Sequence, residues 1–330
     1  MRFPTSIINF IFIFWLSQSQ ARMLADKPSP VIINTLTLDL TLLGDVSITD
    51  PDALVIPVRR VNRLIVIEAK IDTLIGNFIL DTGAPELIVN KTYFRNWWYK
   101  TDMVASSATG SLATVQRTRT KELTIRSWRI PKVNANVTEL GHIENRCGLK
   151  ILGLLGVSVF KGTSITLDLN NNVLIVHTKP KQNETLLDLQ DKTPLFKTSI
   201  DLSNGAILLK GKIADKKLTF CFDTGAETTV MHAGLSDKIL NTFEVNGRKS
   251  LLGTGGSRLE VLYGNLTSFT IEKYEILNAE TIITNLDALS HGYGTRIDLM
   301  IGYDLIRKGI IHINFSAKTF TLYPHGSLSK

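Results

Sequence analysis

Short apolar runs separated by polar turns recur along the chain, and this pattern predicts β-strands. The stretch LIVIEAKIDTLIGNFIL at residues 64–80 has two such runs joined by a polar turn, which is typical of a hairpin. The stretch AILLKGKIADKKLTFCF at residues 206–222 has the same pattern and aligns with the first without a gap, at an offset of 142 residues (206 − 64). We therefore expect two copies of one β-rich unit.

The two units also end in the same way. The stretch LLGVSVFKGTSITLDLNNNVLIVH at residues 154–177 aligns without a gap with MIGYDLIRKGIIHINFSAKTFTLY at residues 300–323. Each copy runs from an apolar pair and a glycine, through a short amphipathic turn, to a strand, a polar hairpin turn and a last strand. The repeat predicts an all-β protein with two homologous lobes.

The repeat sets the predicted domain boundaries. We place the first lobe at residues 55–178 and the second at residues 194–330, joined by a polar linker at residues 179–193. Residues 22–54, where Leu and Thr alternate in part, are predicted to add an N-terminal strand segment.

The N-terminus has the pattern of an export signal. Arg2 precedes a predominantly apolar stretch from Ile7 to Leu16, and a small-residue cleavage pattern ends at Ala21. A stretch of this length is short for a bilayer span, which needs about 20 residues. Residues 1–21 are therefore predicted to be a cleaved signal peptide, with an uncleaved membrane anchor as the alternative. Either interpretation implies export to the periplasm, the cell envelope or the extracellular space.

Composition changes this picture little. The 330 residues are 44% hydrophobic and 20% charged, which is ordinary for a globular protein. The formal net charge of +7 is spread along the chain, which favours a solvated basic surface and no nucleic-acid partner. The six His are dispersed, so we expect no metal and no cofactor. The sequence has only two cysteines, Cys147 and Cys221, which is too few for a disulfide framework. We expect a buried free thiol at Cys221, with a bridge between the two cysteines as the alternative.

Both units place Asp-Thr-Gly-Ala directly after an apolar strand, beginning at Asp81 and Asp223. One such carboxylate, with an ordinary pKa near 3.9, is a charged surface group. Two carboxyls about 3 Å apart cannot both ionise easily and share a proton. One can then act as general base on a bound water while the other polarises a substrate carbonyl. This pair of residues can hydrolyse an amide without a metal or a covalent intermediate.

The stretches FILDTGAPELIV and FCFDTGAETTVM, each followed at a distance by LLG or MIG, resemble the motifs of retropepsin-like aspartic peptidases. The resemblance covers both repeats and implies two pepsin-type β-barrel lobes with the active-site cleft between them. It implies that Asp81 and Asp223 are the catalytic pair and that the substrate is a peptide or a protein. Both lobes lie in one chain, so we expect a monomer that is an intramolecular pseudo-dimer.

The resemblance also implies supporting roles near the two aspartates. The threonines would brace the two catalytic loops against each other, and the first glycines would form the turns. The last two glycines would end the strand that passes behind each loop. These supporting residues are Thr82, Thr224, Gly83, Gly225, Gly156 and Gly302.

Family members cover the cleft with a glycine-rich hairpin, or flap. The segment LLGTGGSRLEV at residues 251–261 is the candidate in the second lobe, and SSATGSLATV at residues 106–115 is its counterpart in the first. We expect one mobile flap and one stiffer loop, because the candidate glycines are unequally distributed: Gly253, Gly255 and Gly256 against Gly110.

The motif departs from the pepsin pattern at Ala84 and Ala226, where a hydroxyl residue is usual. A hydroxyl there could favour the charged carboxylate, so its absence predicts a pair that works at mildly acidic to near-neutral pH.

Two alternatives to this function stay open. A protein of the same fold could bind peptides without cutting them, or the two aspartates could come together between two chains. Near the motifs, Glu86 and Glu227 could tune the pair or face solvent, and the aromatic run at residues 92–100 could line the cleft or pack inside the first lobe.

Overall fold

The structure is a computed structural model that describes residues 8–10, 14–15, 53–95, 102–107, 112–180, 189, 192–202, 205–252 and 258–325. Most of the predicted signal peptide, N-terminal segment and linker lie outside the described residues. The four candidate flap glycines lie outside them too. The predictions for these segments therefore stay predictions.

The described residues are mainly β-strands, as the sequence predicts. In the first half of the chain the strands are β1 (Ile8–Phe10), β2 (Phe14–Trp15), β3 (Ala53–Pro57), β4 (Arg59–Val61), β5 (Leu64–Ile71), β6 (Leu74–Leu80), β7 (Leu87–Asn90), β8 (Asp102–Ser107), β9 (Leu112–Arg119), β10 (Glu122–Ile125), β11 (Trp128–Pro131), β12 (Asn134–Thr138), β13 (Ile151–Leu155), β14 (Ser164–Asp168) and β15 (Val173–His177). In the second half they are β16 (Phe196–Ser199), β17 (Ile207–Ile213), β18 (Lys216–Phe222), β19 (Thr229–His232), β20 (Phe243–Leu252), β21 (Arg258–Ile271), β22 (Tyr274–Thr284), β23 (Leu299–Ile301), β24 (Gly309–Asn314) and β25 (Thr319–Pro324).

The helices among the described residues are short. They are α1 (Gly141–Cys147), α2 (Asp237–Leu240), α3 (Asp287–Gly292), α4 (Tyr303–Ile306) and a single 3₁₀ turn (Val157–Phe160). None of them has the length and hydropathy needed to cross a membrane.

Each lobe is built on its own sheet. The first-lobe sheet has the order β1-β8-β9-β12-β7-β13-β6-β5-β10-β11, with β4 paired to β5. The second-lobe sheet has the order β17-β18-β23-β19-β22-β21-β20-β2. This all-β, two-lobed architecture confirms the predicted fold class.

The repeat in the sequence is also a repeat in strand pairing. The predicted hairpins form as β5–β6 and β17–β18, both antiparallel. In each lobe the strand that ends in the apolar-Gly element runs parallel to the second strand of the hairpin: β13 beside β6, and β23 beside β18. This pairing places the two Asp-Thr-Gly-Ala turns at equivalent positions.

A third sheet joins the lobes. Its order is β16-β25-β24-β14-β15-β3, so three strands come from each half of the chain. The seam is the antiparallel pair β14–β24, with Ser164 opposite Asn314 and Leu167 opposite Ile311. The predicted hairpin turns lie between β14 and β15 and between β24 and β25.

Apolar packing continues from one lobe to the other. One cluster of buried side chains includes Phe78 and Leu80 of the first lobe together with Phe220 and Phe222 of the second. Two smaller clusters are each confined to one lobe, one around α1 and one around α3. The strands that deliver the two aspartates therefore stand on one shared core, which fixes their relative positions.

Candidate active site

Asp81 and Asp223 are the first residues after β6 and β18, at the buried apolar ends of the two strands. The strand behind each turn holds it through a backbone hydrogen bond: Asp81 N donates to Leu155 O at 3.1 Å, and Asp223 N donates to Ile301 O at 2.8 Å. The sequence placed the apolar-Gly elements behind the two turns, and the described residues have this arrangement.

Gly156 and Gly302 are required because the backbone of each turn lies against them. A Cβ at Gly156 would come within 2.2 Å of Glu86 O, and one at Gly302 within 2.3 Å of Ala226 O. Any side chain would push the supporting strand away from the catalytic turn.

The two turns bind each other through their threonines. Thr82 N donates to Thr224 Oγ1 at 3.0 Å, and Thr224 N donates to Thr82 Oγ1 at 2.9 Å. Each hydroxyl in turn donates across the lobes to the carbonyl of the residue just before the opposite aspartate, Phe222 O at 3.1 Å and Leu80 O at 2.7 Å. Both threonines are buried, so these four hydrogen bonds form a buried network that joins the two lobes.

The carboxyls of Asp81 and Asp223 meet beside this hydrogen-bond network. Gly83 N donates to Asp81 Oδ1 and to Asp223 Oδ1, both at 3.0 Å. Gly225 N donates to Asp223 Oδ1 at 2.8 Å. Both side chains are fully buried. Their outer oxygens, Asp81 Oδ2 and Asp223 Oδ2, accept no hydrogen bond from the described part of the chain.

Close approach, rather than a left-handed backbone, explains the turn glycines. Neither Gly83 nor Gly225 is among the described residues with positive φ. A Cβ at Gly83 would lie 2.5 Å from the Asp223 carboxyl carbon, and one at Gly225 would lie 3.0 Å from Asp81 Oδ1. A larger residue at Gly83 would separate the two carboxyls.

The two carboxyls have unequal acidities. Burial raises the pKa of Asp81 well above its ordinary value, and the neighbouring charge of Asp223 and a hydrogen bond to it raise it further. Burial also raises the pKa of Asp223, to about 6, but the Gly225 N–H, the Asp81 carboxyl and the Gly83 N–H oppose the increase. The pair therefore holds one proton over a range of pH, with the proton on Asp81 and the charge on Asp223.

A family comparison agrees with this geometry. Residues 209–305, which include Asp223 and its supporting strand, match the family model for aspartyl proteases. This segment is therefore similar to aspartyl proteases. The first lobe repeats the hairpin and the supporting strand of that segment, as β5, β6 and β13, and supplies the second Asp-Thr-Gly-Ala turn.

The aspartyl protease fold extends over most of the chain. The crystal structure of an aspartic proteinase from Irpex lacteus superposes with a TM-score of 0.52 and 12% sequence identity. The superposition covers 84% of this chain and 98% of that one, so the likeness is one of whole fold. A search of curated sequences gives no significant match.

The two lobes also meet through ion pairs whose arginines sequence reasoning did not find. Glu227, almost fully buried, forms an ion pair with Arg146 of α1 in the first lobe. Arg63, also of the first lobe, donates to Glu227 O at 2.9 Å and pairs with Glu280 Oε2 at 2.8 Å. Burial raises the pKa of Glu227, and the charge of Arg146 opposes that increase.

Glu86 lies in a different environment from Glu227. It is half-buried and pairs with Arg117 Nη2 at 2.5 Å and with Asn136 Nδ2 at 3.1 Å, all within the first lobe. Neither glutamate is simply a solvated surface group. The sequence alone does not decide between a role near the carboxyl pair and solvent exposure, because it does not show which arginine faces each glutamate.

The sequence also singled out two cysteines and an aromatic run. Cys147 and Cys221 are free thiols, so no bridge joins them, and Cys221 is buried as expected. Phe94 packs in the large core and Tyr93 against it, whereas residues 96–100 lie outside the described part. Packing is thus the role of the described members of the aromatic run.

The arms of both predicted flaps are antiparallel strand pairs. The pair β20–β21 runs from Phe243 opposite Leu266 to Leu252 opposite Arg258, while β8–β9 is shorter. The two hairpins are therefore unequal in length. Among the described residues, no group of three or more His, Cys, Asp or Glu side chains is arranged to hold a metal ion.

Proposed function

We propose that this chain is an aspartic endopeptidase whose active site is complete within one molecule. The observation that carries the proposal is the pair of buried carboxyls, Asp81 and Asp223, whose inner oxygens accept hydrogen bonds from the same Gly83 N–H. Two acids so placed share a proton, which is the state that metal-free amide hydrolysis requires.

The unequal acidities assign the roles. Asp223, the stronger acid, takes a proton from a water bound between the carboxyls, and the water oxygen attacks the substrate carbonyl carbon. Asp81 gives its proton to the carbonyl oxygen, so that a neutral tetrahedral intermediate forms. The proton held by Asp223 then passes to the amide nitrogen as the C–N bond breaks, and one hydroxyl of the intermediate returns its proton to Asp81. The products are a carboxylic acid and an amine, and the pair again holds one proton. The outer oxygens of the pair are the atoms that accept and donate these protons.

The test is cleavage of a diverse peptide pool between pH 3 and pH 8, read by mass spectrometry, with the full chain and with a chain that starts at Arg22. Asp81→Asn and Asp223→Asn should each lower the cleavage rate by a factor of about 10³ or more, because neither variant can hold both a charge and a transferable proton. Asp168→Asn is the matched control. Asp168 is a buried aspartate of the interlobe sheet whose acceptor oxygens asparagine can partly replace.

Loss of folding is not the expected cause of the loss of activity. Because both folded-state pKa values are raised, the native pair binds more protons than the unfolded chain above about pH 4, so the pair destabilises the native state as pH rises. Neutral asparagine removes that cost, and the Asn variants should melt at the same or a higher temperature at pH 7. A folded wild-type protein that binds peptides but cuts none at any pH would overturn the proposal in favour of a binding protein of the same fold.

A further inference from the structure

Tyr293 connects the core of the second lobe to the catalytic turn of the first. It follows α3, and its side chain is fully buried in an apolar cluster with Cys221, Ala226 and Met300. Its hydroxyl crosses the lobe boundary and donates a hydrogen bond to Gly83 O. This bond is made two residues after Asp81, by a side chain outside both motifs.

Gly83 is the residue on which that bond acts most directly. The N–H of Gly83 donates to the inner oxygens of both Asp81 and Asp223 at 3.0 Å. A glycine has no side chain to fix its peptide planes, so its orientation depends on the hydrogen bonds at its two ends. With its carbonyl held by Tyr293, the turn keeps the N–H centred between the two carboxyls.

Tyr293 is suited to donate at any working pH. Burial raises the pKa of the phenol well above its ordinary value, and the nearby charges of Cys221, Asp223 and Asp81 add to that increase. The hydroxyl therefore stays protonated while the carboxyl pair titrates. A donor that never ionises can hold the turn in both protonation states of the pair.

Among the described residues, the equivalent position in the first lobe does not carry a tyrosine. Tyr293 lies nine residues before Gly302 (302 − 293), and the residue nine before Gly156 (156 − 147) is Cys147. Cysteine has no hydroxyl and a shorter side chain, so it cannot replace this bond. The backbone donors of the two turns also differ, since Gly83 N donates to both aspartates whereas Gly225 N donates to Asp223. The turn that Tyr293 holds is thus the one whose N–H contacts both carboxyls.

We propose that Tyr293 is a positioning residue that fixes the Gly83 N–H on the carboxyl pair and thereby helps to set which carboxyl ionises first. Its effect on turnover rests on the proposed peptidase function. Its effect on the titration of the two aspartates does not, and the experiment uses that distinction.

The experiment compares the full chain with Tyr293→Phe, which removes one oxygen and keeps the ring. Tyr323→Phe is the control, because Tyr323 is also a largely buried tyrosine but lies in β25 of the interlobe sheet. kcat and KM are measured from pH 3 to pH 8, and the two carboxyl groups are titrated by ¹³C NMR in aspartate-labelled protein.

For Tyr293→Phe we expect kcat to fall about 3- to 30-fold with KM within about twofold, because the bond orients the catalytic groups and not the substrate. The acid limb of the rate profile and the lower carboxyl titration should both move up by about 0.5 pH unit, since a misaligned N–H stabilises the charged carboxylate less. Tyr323→Phe should change neither. Rate profiles and carboxyl titrations identical to wild type in Tyr293→Phe would overturn the proposal.

A second pair of variants covers the case in which Tyr293→Phe does not fold. The para substituents of para-aminophenylalanine and para-fluorophenylalanine both fill the space of the hydroxyl, but only the amine can donate. The amine should keep the wild-type carboxyl titration and the fluorine should not; equal titrations in the two would overturn the proposal. If wild type cuts no peptide, the NMR titration still decides the role of Tyr293, and the failure belongs to the proposed function.

Discussion

At the scale of single residues, two identical side chains have different chemistry because their hydrogen-bond donors differ. Asp223 Oδ1 accepts from both Gly83 N and Gly225 N, and each donor stabilises the charged form of Asp223. Asp81 has fewer such donors and lies beside the charge of Asp223, so it keeps its proton. In the proposed mechanism, a symmetric sequence motif thereby supplies both a base and an acid.

This asymmetry predicts the pH dependence of cleavage. In the proposed mechanism, the active form has Asp223 charged and Asp81 protonated. As pH falls through the pKa of Asp223, at about 6, the base is lost and kcat/KM should fall tenfold per pH unit. As pH rises through the higher pKa of Asp81, the acid is lost and the rate should fall again.

We therefore expect a bell-shaped profile of kcat/KM with its maximum near or above pH 6. The measurement is initial rates on one peptide across buffers of constant ionic strength, with Asp168→Asn as the unaffected control. The absence of a hydroxyl at Ala84 and Ala226 led to the same expectation from sequence. A maximum below about pH 3 would contradict both arguments.

The sequence was sufficient to predict the residues that the repeat duplicates. Asp81, Thr82 and Gly83 have counterparts 142 positions later, and in the structure the two equivalent turns lie against each other. Contacts between non-equivalent residues, such as Tyr293 with Gly83 and Arg146 with Glu227, could not be predicted in this way. They depend on how the lobes are oriented, and nothing in either repeat encodes the partner.

At the scale of structural elements, the two Asp-Thr-Gly-Ala turns form one unit because each threonine completes the other turn. A Thr82→Val substitution keeps the shape of the side chain but leaves two polar groups without their partner: Thr224 N, which donates to the hydroxyl, and Phe222 O, which accepts from it. Leaving buried groups unsatisfied in this way should lower the free energy of unfolding by about 2–5 kcal/mol. Urea denaturation at pH 7 measures the change.

Thr82→Ser is the matched control because it keeps the hydroxyl and loses one methyl, at a cost of about 1 kcal/mol. The corresponding pair at Thr224 should behave in the same way, since its hydroxyl donates to Leu80 O at 2.7 Å and accepts from Thr82 N at 3.0 Å. Equal losses for Val and Ser at either position would mean that packing, and not the hydrogen bonds, holds the turns together.

At the scale of the whole molecule, the interlobe sheet joins the two halves of the chain and so brings both aspartates of one chain together. Its seam, β14 against β24, joins the halves through backbone hydrogen bonds, and the shared core continues beneath both aspartates. Arg63 and Arg146 add ion pairs to Glu280 and Glu227 across the same boundary. Each half alone would expose this sheet edge and core, so we expect the two lobes to unfold together.

Complementation between inactive chains tests whether the carboxyl pair is intramolecular. In this structure Asp81 and Asp223 of the same chain meet, so a mixture of Asp81→Asn and Asp223→Asn proteins should remain inactive at any ratio. The specific activity of wild type should also stay constant over a 100-fold dilution (about the range accessible to a fluorogenic peptide assay), because no association step precedes the formation of the site.

A pair assembled between two chains would give different results in both measurements. Random pairing of the two Asn variants would make half of the dimers mixed, each with one intact pair out of two, and so would restore about a quarter of the wild-type activity. Dilution below the dissociation constant of such a dimer would then abolish activity. The mixture should be co-refolded from denaturant as well as combined in the native state, since the interlobe sheet could otherwise prevent strand exchange. Recovery of activity after co-refolding would mean that the sheet can close between molecules, and its absence would establish the single-chain site.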